Sequence, residues 1–164
     1  MRSNDSAIKF TLSKTERLCS RKIIAGLYES GFFVSKYPIR INYMFTELPQ
    51  KDIFLQGMVS VSKKKFSKAV DRNRIKRLLR EVYRHRKHQL ENRLIEANLP
   101  MAVAVIFTGT QKLDYWEMES IFNKVFIKLI AAVEEKIKLA QSVDKSEPNL
   151  SNPPEGFRDN PIRV

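Results

Sequence analysis

The sequence predicts an α+β fold, a two-layer α/β sandwich in which three main helices cover a small mixed sheet. Two segments, 38–46 and 53–62, alternate between apolar and polar residues, a pattern typical of half-buried strands. A third segment, 101–108, is almost continuously apolar and therefore favours a central strand. A long amphipathic segment separates the second strand from the third, and helical patterns also precede the first strand and follow the last.

The first helix is predicted over about residues 13–30. Ser13-Lys14-Thr15-Glu16 matches a capping box, in which two side chains satisfy free backbone N–H groups at a helix start. Gly31 is placed as the glycine that follows the helix end. The apolar side of the helix combines Cys19, Ile23 and Leu27 with the neighbouring Ile24 and Tyr28. Cys19 is accordingly interpreted as a small core residue.

The second helix is predicted to begin near Asp71, an expected N-cap, and to run to about Ala97. Its apolar residues recur at the spacing of one helix face: Ile75, Leu78, Leu79, Val82 and Tyr83. At about 100° per residue, the opposite side gathers Asn73, Arg77, Arg80 and Arg84, flanked by Arg74 and Lys76. Because a guanidinium group can grip a phosphate with two parallel hydrogen bonds, this side is suited to a polyanion.

The third helix is predicted to follow Asp114, another expected cap. Its core stripe includes Ile121, Val125, Phe126, Leu129 and Val133. Trp116 and the phenylalanines of the chain are interpreted as core residues rather than as stacking groups. The acidic residues Asp114, Glu117 and Glu119 are interpreted as a helix start beside the positive dipole end, not as an acid–base pair.

Around this core we expect a flexible N-terminal arm, residues 1–8, and a disordered C-terminal tail, residues 141–164. The folded domain is predicted over 9–140. The one cysteine excludes internal disulfides and thiolate zinc clusters and favours a reduced, cytoplasmic setting. The N-terminus lacks the features of a signal peptide, and the longest apolar run is far too short to cross a bilayer. No membrane partner is therefore expected.

Almost all of the surplus positive charge lies in residues 63–87. This segment has twelve Lys or Arg residues against Asp71 and Glu81, so it carries +10 of the chain's formal +12. A merely solvated helix face usually mixes both signs of charge at i,i+4 spacing. Charge concentrated in one segment, on one side of a helix, instead favours nucleic-acid binding.

The sequence offers little chemistry of its own. It has no Gly-x-Gly or Walker-type loop, so nucleotide binding by that route is not expected. His85 and His88 are three residues apart, but no third metal ligand is near them in sequence, and they are interpreted as solvated helix residues. A protein-borne nuclease would need clustered carboxylates that hold metal ions, and none is evident. We therefore predict no catalytic residue and no protein-held metal site.

The motif around the basic segment resembles that of a known family. Its pieces are Val61-Ser62-Lys63-Lys64, Ala69-Val70, Arg72-Asn73-Arg74, Lys76-Arg77 and Arg80-Glu81. In this order, between a strand and a helix, they resemble the signature of the bacterial ribonuclease P protein component. The resemblance covers residues 9–140 in element order. It implies a fold like that of the second domain of a small-subunit ribosomal protein.

The resemblance also implies a function. The holoenzyme removes the 5′ leader of precursor tRNA, its large catalytic RNA hydrolyses the phosphodiester bond, and Mg²⁺ acts mainly through that RNA. The expected partners are the catalytic RNA and precursor tRNA, with no DNA. By match to the motif, the residues expected to bind the catalytic RNA are Arg72, Asn73, Arg74, Lys76, Arg77 and Arg80, joined by Lys63 and Lys64 of the preceding loop. Lys68 and Arg84, which belong to the same basic segment, are expected to bind it as well. The leader is expected to lie in a cleft between the first helix and the sheet, at Tyr28, Arg40, Asn42 and Ser60.

Two departures from the family pattern affect these expectations. The loop Lys65-Phe66-Ser67-Lys68 is one residue longer than the commonest pattern and lacks its glycine. In the cleft, Tyr28 is the one aromatic retained on the first helix, where many members have two, and the strand position near Asn42 is not aromatic. Leader contact is therefore expected to rely more on hydrogen bonds from Arg40, Asn42 and Ser60.

Two other functions fit part of the pattern. A stand-alone RNA-binding module, such as a ribosomal or chaperone protein, would share the basic helix but gives no reason for the full motif. A double-stranded DNA binder would insert the helix into a major groove. On the solvent side of that helix, however, only Asn73 is suited to bidentate base reading. The resemblance favours the ribonuclease P subunit over both.

Overall fold

The structure is a computed structural model, which describes residues 12–144. In chain order its elements are α1 (Arg21–Glu29), β1 (Phe32–Lys36), β2 (Ile39–Phe45), β3 (Leu55–Val61), α2 (Ala69–Glu96), β4 (Met101–Phe107) and α3 (Tyr115–Asp144). Three helices and a mixed sheet confirm the predicted α+β architecture. The predicted arm and most of the predicted tail lie outside the described residues.

The sheet has four strands in the order β1-β2-β4-β3, one more than the sequence predicted. β1 pairs antiparallel with β2, β2 pairs antiparallel with β4, and β3 runs parallel to β4. The three expected strands are present, and β4 is central as predicted. β1 was missed because it is an edge strand whose side chains are largely exposed, so it lacks the apolar–polar alternation of a half-buried strand.

The two sides of the sheet are covered differently. One side, which we call the helix face, buries Ile39, Ile41 and Tyr43 against α2 and α3. The other side, the cleft face, buries Ala102 and Ala104 against α1 in a smaller cluster. The alternation predicted along 38–46 and 53–62 is confirmed in β2 and β3, because neighbouring residues of each strand point to opposite sides.

The beginning of the first helix differs from the prediction. The capping-box hydrogen bonds do form, since Ser13 N donates to Glu16 Oε2 at 2.5 Å and Glu16 N donates to Ser13 Oγ. They close only a turn, because residues 16–18 then pair with β3 through Gly57: Gly57 N donates to Glu16 O and Leu18 N to Gly57 O. α1 begins after a different cap, Ser20. Cys19 therefore lies outside the helix and is exposed, not in the core.

The two long helices also correct the predicted caps. Lys68, not Asp71, is the N-cap of α2, and Asp71 lies in the first turn, where it forms an ion pair of 2.8 Å with Lys112. Asp114 does cap α3, in a reciprocal pair of hydrogen bonds with Glu117. Trp116 lies in the first turn of α3 and is 74% exposed, so it is not a core residue. The predicted core stripe of α3 is otherwise buried or half-buried.

Two glycines are required by close packing. A Cβ at Gly31, just after α1, would collide with the carbonyl oxygen of Leu27. A Cβ at Gly57 would lie 2.6 Å from Oη and 2.9 Å from Cζ of Tyr83. Tyr83 is buried in α2, and burial raises the pKa of its hydroxyl well above the ordinary value. Contact between α2 and the sheet is therefore direct at Gly57.

Candidate nucleic-acid interface

The basic side of α2 is displayed to solvent. The four residues predicted to share this side, which we call the basic face, are Asn73, Arg77, Arg80 and Arg84; the first three are exposed and Arg84 is half-exposed. Flanking them, Arg74 is exposed and Lys76 is half-buried. The opposite side of the same helix is fixed by buried Ile75, Leu79 and Val82. Rigid burial of one side thus orients the cations on the other.

Arg84 has a partner within its own helix. Its Nη2 forms an ion pair with Glu81, and His85 Nε2 lies 3.0 Å from the same carboxylate oxygen. The hydrogen bond from Arg84, and after it that from His85, holds the pKa of Glu81 below its ordinary value against the opposing effect of burial. The basic face is therefore electrostatically strongest at Arg77 and Arg80.

The loop before α2 is anchored at its centre. Phe66 is buried, with its ring centroid 6.0 Å from that of Phe107, and its backbone N donates to Ser62 O. Arg72 Nη1 donates to the carbonyls of Phe66 at 2.8 Å and Ser67 at 2.6 Å. Lys65 donates to Thr108 O. The departure from the family pattern in this loop is thereby accommodated around a buried phenylalanine.

These contacts divide the predicted cations of the loop into two groups. Lys63, Lys64 and Lys68 are exposed, so their ammonium groups are available to a partner. Arg72 is half-buried and uses one terminal nitrogen to hold the loop. Sequence reasoning could not distinguish these roles, because the carbonyls that Arg72 binds are five and six residues away and depend on the path of the loop.

The predicted leader residues lie on the cleft face or on the helix above it. Arg40 Nε donates to Asn42 Oδ1 at 2.8 Å, and Asn42 is only 3% exposed. Ser60 is in the same row as Arg40, with Ile106 of β4 between them, so about 10 Å separates their backbones. Tyr28 is on α1 and is 49% exposed. The structure therefore pairs Arg40 with Asn42 directly and places Ser60 farther along the same row.

The sequence interpretation missed an aromatic residue on this face. Phe33 of β1 is directly opposite Asn42 in the strand register, so both side chains lie on the cleft face. Phe33 is 57% exposed, and Arg40 Cζ lies 4.0 Å from its ring centroid. Assigning every phenylalanine to the core concealed Phe33, because the opposite directions of Phe32 and Phe33 follow only from the pairing of β1 with β2.

The basic face and the cleft face are on opposite sides of the sheet but meet at one end of it. Ser60 is three residues before Lys63, so the cleft-face row of Arg40 and Ser60 leads into the basic loop. At this end Thr108 N donates to Pro38 O at 2.7 Å, and Thr108 O accepts from Lys65. A continuous polyanion could therefore pass from the loop onto the cleft face.

Residues 12–144 contain no group of three or more His, Cys, Asp or Glu side chains close enough to hold a metal ion. Among the helices in that part of the chain, none is long and apolar enough to span a membrane. His88 lies near Glu91, at 3.4 Å, rather than near a set of metal ligands.

Comparison with known proteins identifies the chain's relatives. The Ribonuclease P family profile matches residues 12–130. The ribonuclease P protein component of Porphyromonas gingivalis is 34% identical over 128 residues, which cover 78% of this chain and 93% of the relative. That of Chlorobium phaeobacteroides is 34% identical over 109 residues, covering 62% of this chain and 75% of the relative.

Solved structures agree on the fold. The ribonuclease P protein of Staphylococcus aureus matches with a TM-score of 0.54 at 21% identity, covering 71% of this chain and 96% of that one. The protein from Thermotoga maritima matches with a TM-score of 0.50 at 19% identity, covering 67% and 94%. Given the match of profile, sequence and fold, this chain belongs to the ribonuclease P protein family.

Proposed function

We propose that this chain binds the ribonuclease P catalytic RNA through its basic face and loop, and the 5′ leader of precursor tRNA through its cleft face. As a member of the family, the chain is the protein subunit of a ribonucleoprotein endonuclease that matures the 5′ end of tRNA. The chemistry of that enzyme is performed by its RNA. The proposal concerns which surfaces of this protein meet which RNA.

The observation that supports the assignment is the difference in chemistry between the two surfaces. The basic face and loop present Arg77, Arg80 and the exposed lysines, which suit a phosphate backbone. The cleft face and α1 present Phe33 and Tyr28 together with the guanidinium of Arg40. Flat groups beside a cation are typical of sites that bind unpaired nucleotides.

We propose that Mg²⁺ in the holoenzyme is bound by RNA. The acidic residues within 12–144 do not form a chelating set, so this part of the protein does not fit a metal site. What the chain supplies instead is positive charge beside the RNA, which lowers the electrostatic cost of bringing two polyanions together. A cytoplasmic location is proposed from the same role, since tRNA matures where it is transcribed.

A reconstitution tests the proposal. The protein is mixed with a bacterial ribonuclease P RNA and a 5′-extended tRNA at low Mg²⁺, beside the protein alone and the RNA alone. We expect leader removal only where the RNA is present, and faster removal with both components than with RNA alone. Unchanged cleavage on addition of the protein would contradict the proposal.

A variant identifies the surface involved. Replacing both Arg77 and Arg80 with Ala should remove most of the stimulation at limiting protein concentration. Replacing Lys124 and Lys138, two exposed basic residues of α3, should leave it unchanged. Equal loss in the two double variants would show that net charge alone explains the binding.

A further inference from the structure

We infer that Phe33 and Arg40 together form a stacking platform for one unpaired base of the leader. The inference rests on the proposed function and adds to it a residue, Phe33, on an edge strand that the sequence did not predict. The platform is defined by the ring of Phe33 and the guanidinium that lies over it, whose Cζ is 4.0 Å from the ring centroid.

The platform is held in place from one side. Arg40 is half-buried, and its Nε donates to Oδ1 of Asn42, which is buried beneath it. Within residues 12–144 the terminal nitrogens of Arg40 make no other hydrogen bond, so they can donate to a phosphate or a base edge. A side chain already fixed in its bound orientation loses little conformational entropy when a ligand arrives.

The ring itself remains open. Phe33 is 57% exposed although Arg40 covers part of its ring, so the rest of the ring is accessible to a ligand. Bases stack on aromatic rings and on guanidinium planes alike, and each such stack strengthens binding without demanding a particular base. Exposed aromatic surface, a fixed cation and a strand edge occur here at one point.

The position of Phe33 also accounts for the absence of an aromatic side chain at residue 42, which is Asn42 in this chain. Phe33 and Asn42 are direct partners across β1 and β2, so an aromatic at either position would occupy the same part of the cleft face. In this chain the flat group is on the edge strand, and the polar partner that orients Arg40 is on the inner strand. Tyr28, on α1, would then be a second stacking group rather than the sole one.

The test compares two phenylalanines of the same strand. Phe33→Ala is set against Phe32→Ala, because Phe32 is similarly exposed but points to the helix face, where it packs against Tyr43 and Lys136. The dissociation constant of the reconstituted holoenzyme is measured for a tRNA with a leader and for the same tRNA without one. We expect Phe33→Ala to raise the dissociation constant of the leader-bearing tRNA by about 5-fold or more and that of the mature tRNA by less than 2-fold. Phe32→Ala should leave both within 2-fold.

Leaders with a single abasic nucleotide locate the stack. At one leader position, an abasic nucleotide should weaken binding to the wild-type holoenzyme. The same abasic leader should bind the Phe33→Ala holoenzyme no more weakly than the intact leader does. Phe33→Trp keeps an aromatic ring, so its holoenzyme should lose affinity at the same position as wild type. Equal losses for leader-bearing and mature tRNA, or additive losses at every abasic position, would overturn the platform. These results are distinct from failure of the proposed function, in which wild-type protein itself would not discriminate the two tRNAs.

Discussion

The two faces of the sheet are formed by the same strands but differ in what they present to solvent. On the helix face Ile39, Ile41 and Tyr43 are buried under α2 and α3. A ligand on this side can therefore contact only the outer surface of a helix. The cleft face is covered only in part by α1, and side chains of the strands themselves, including Arg40 and Ser60, still reach solvent. One face therefore presents cations on a helix, and the other presents the sheet directly.

This difference predicts separate consequences of mutation on the two sides. Changes to the basic face should alter salt-dependent affinity for the catalytic RNA, since we propose that its cations contact phosphates. Changes to the cleft should alter discrimination between substrates with and without a leader. Changes to the contacts that hold α2 against the edge of the sheet should affect folding, and thus both activities together.

An ion pair at the edge of β3 links α2, on the helix face, to the segment that precedes α1. Lys87 of α2 is 2% exposed and donates to Glu16, which belongs to the segment paired with Gly57. Replacing Glu16 with Gln leaves the buried ammonium group without an opposite charge. We expect the free energy of unfolding to fall by about 3 kcal/mol, measured by urea denaturation near neutral pH. Glu29→Gln, at an exposed carboxylate on α1, is the control and should change it by less than about 0.5 kcal/mol.

The same pair predicts a dependence on pH. Burial by itself raises the pKa of Glu16, but hydrogen bonds from Lys87 and Ser13 outweigh it and hold the pKa below the ordinary value of 4.5. The stabilisation is therefore complete above about pH 4.5 and is lost as the pH falls through the lowered folded value. Wild type should lose stability over this acidic range more steeply than Glu16→Gln. Parallel curves for the two proteins would contradict this role of Glu16.

The basic face gives the next largest effect. Replacing Arg77 and Arg80 with Ala removes two exposed cations, and we expect catalytic-RNA affinity to fall on the order of 100-fold at moderate salt. The slope of log affinity against log salt should flatten by about 1.4–1.8, at roughly 0.7–0.9 per phosphate contact. Filter binding over a salt series measures both. An unchanged slope would place the RNA on another surface.

Replacing a glycine with alanine should have different effects on stability on the two faces of the sheet. Gly57→Ala puts a methyl group 2.6 Å from Oη of buried Tyr83, so we expect a loss of about 2 kcal/mol in unfolding free energy. Gly26→Ala, in α1 above the cleft face, meets only the flexible end of Met44 at 3.4 Å and removes a helical glycine. It should be neutral or stabilising by up to about 1 kcal/mol. Thermal unfolding of the two variants measures the difference; a loss at Gly57→Ala no larger than that at Gly26→Ala would contradict the close contact with the ring of Tyr83.

The two faces also differ in how well the sequence predicts them. The helix face was predictable, because burial enforces a regular spacing: Ile75, Leu79 and Val82 mark one side of α2, and Arg77 and Arg80 must then lie on the other. The capping residues of α3 were predictable for the same local reason. Such patterns need no knowledge of distant segments.

The cleft was harder to predict because its organisation depends on long-range pairing. The capping box at Ser13 and Glu16 forms as expected, yet the chain continues as an extended segment because Gly57, far away in sequence, offers hydrogen bonds. Phe33 is recognisable as a surface group only once its register with Asn42 is known. Local propensity cannot contain this information, since tertiary pairing overrides it.

The smallest effect we expect comes from Tyr28, the exposed aromatic of α1. Replacing it with Ala removes one stacking surface, so affinity for leader-bearing substrate should fall by about 1–2 kcal/mol while affinity for the mature tRNA is retained. Tyr28→Phe keeps the ring and should keep the affinity, which separates stacking from hydrogen bonding by the hydroxyl. Equilibrium binding of both tRNAs to the reconstituted holoenzyme is the measurement. A loss shared by both tRNAs would mean that Tyr28 supports α1 or contacts the catalytic RNA, and the leader would then depend on the strands of the cleft face alone.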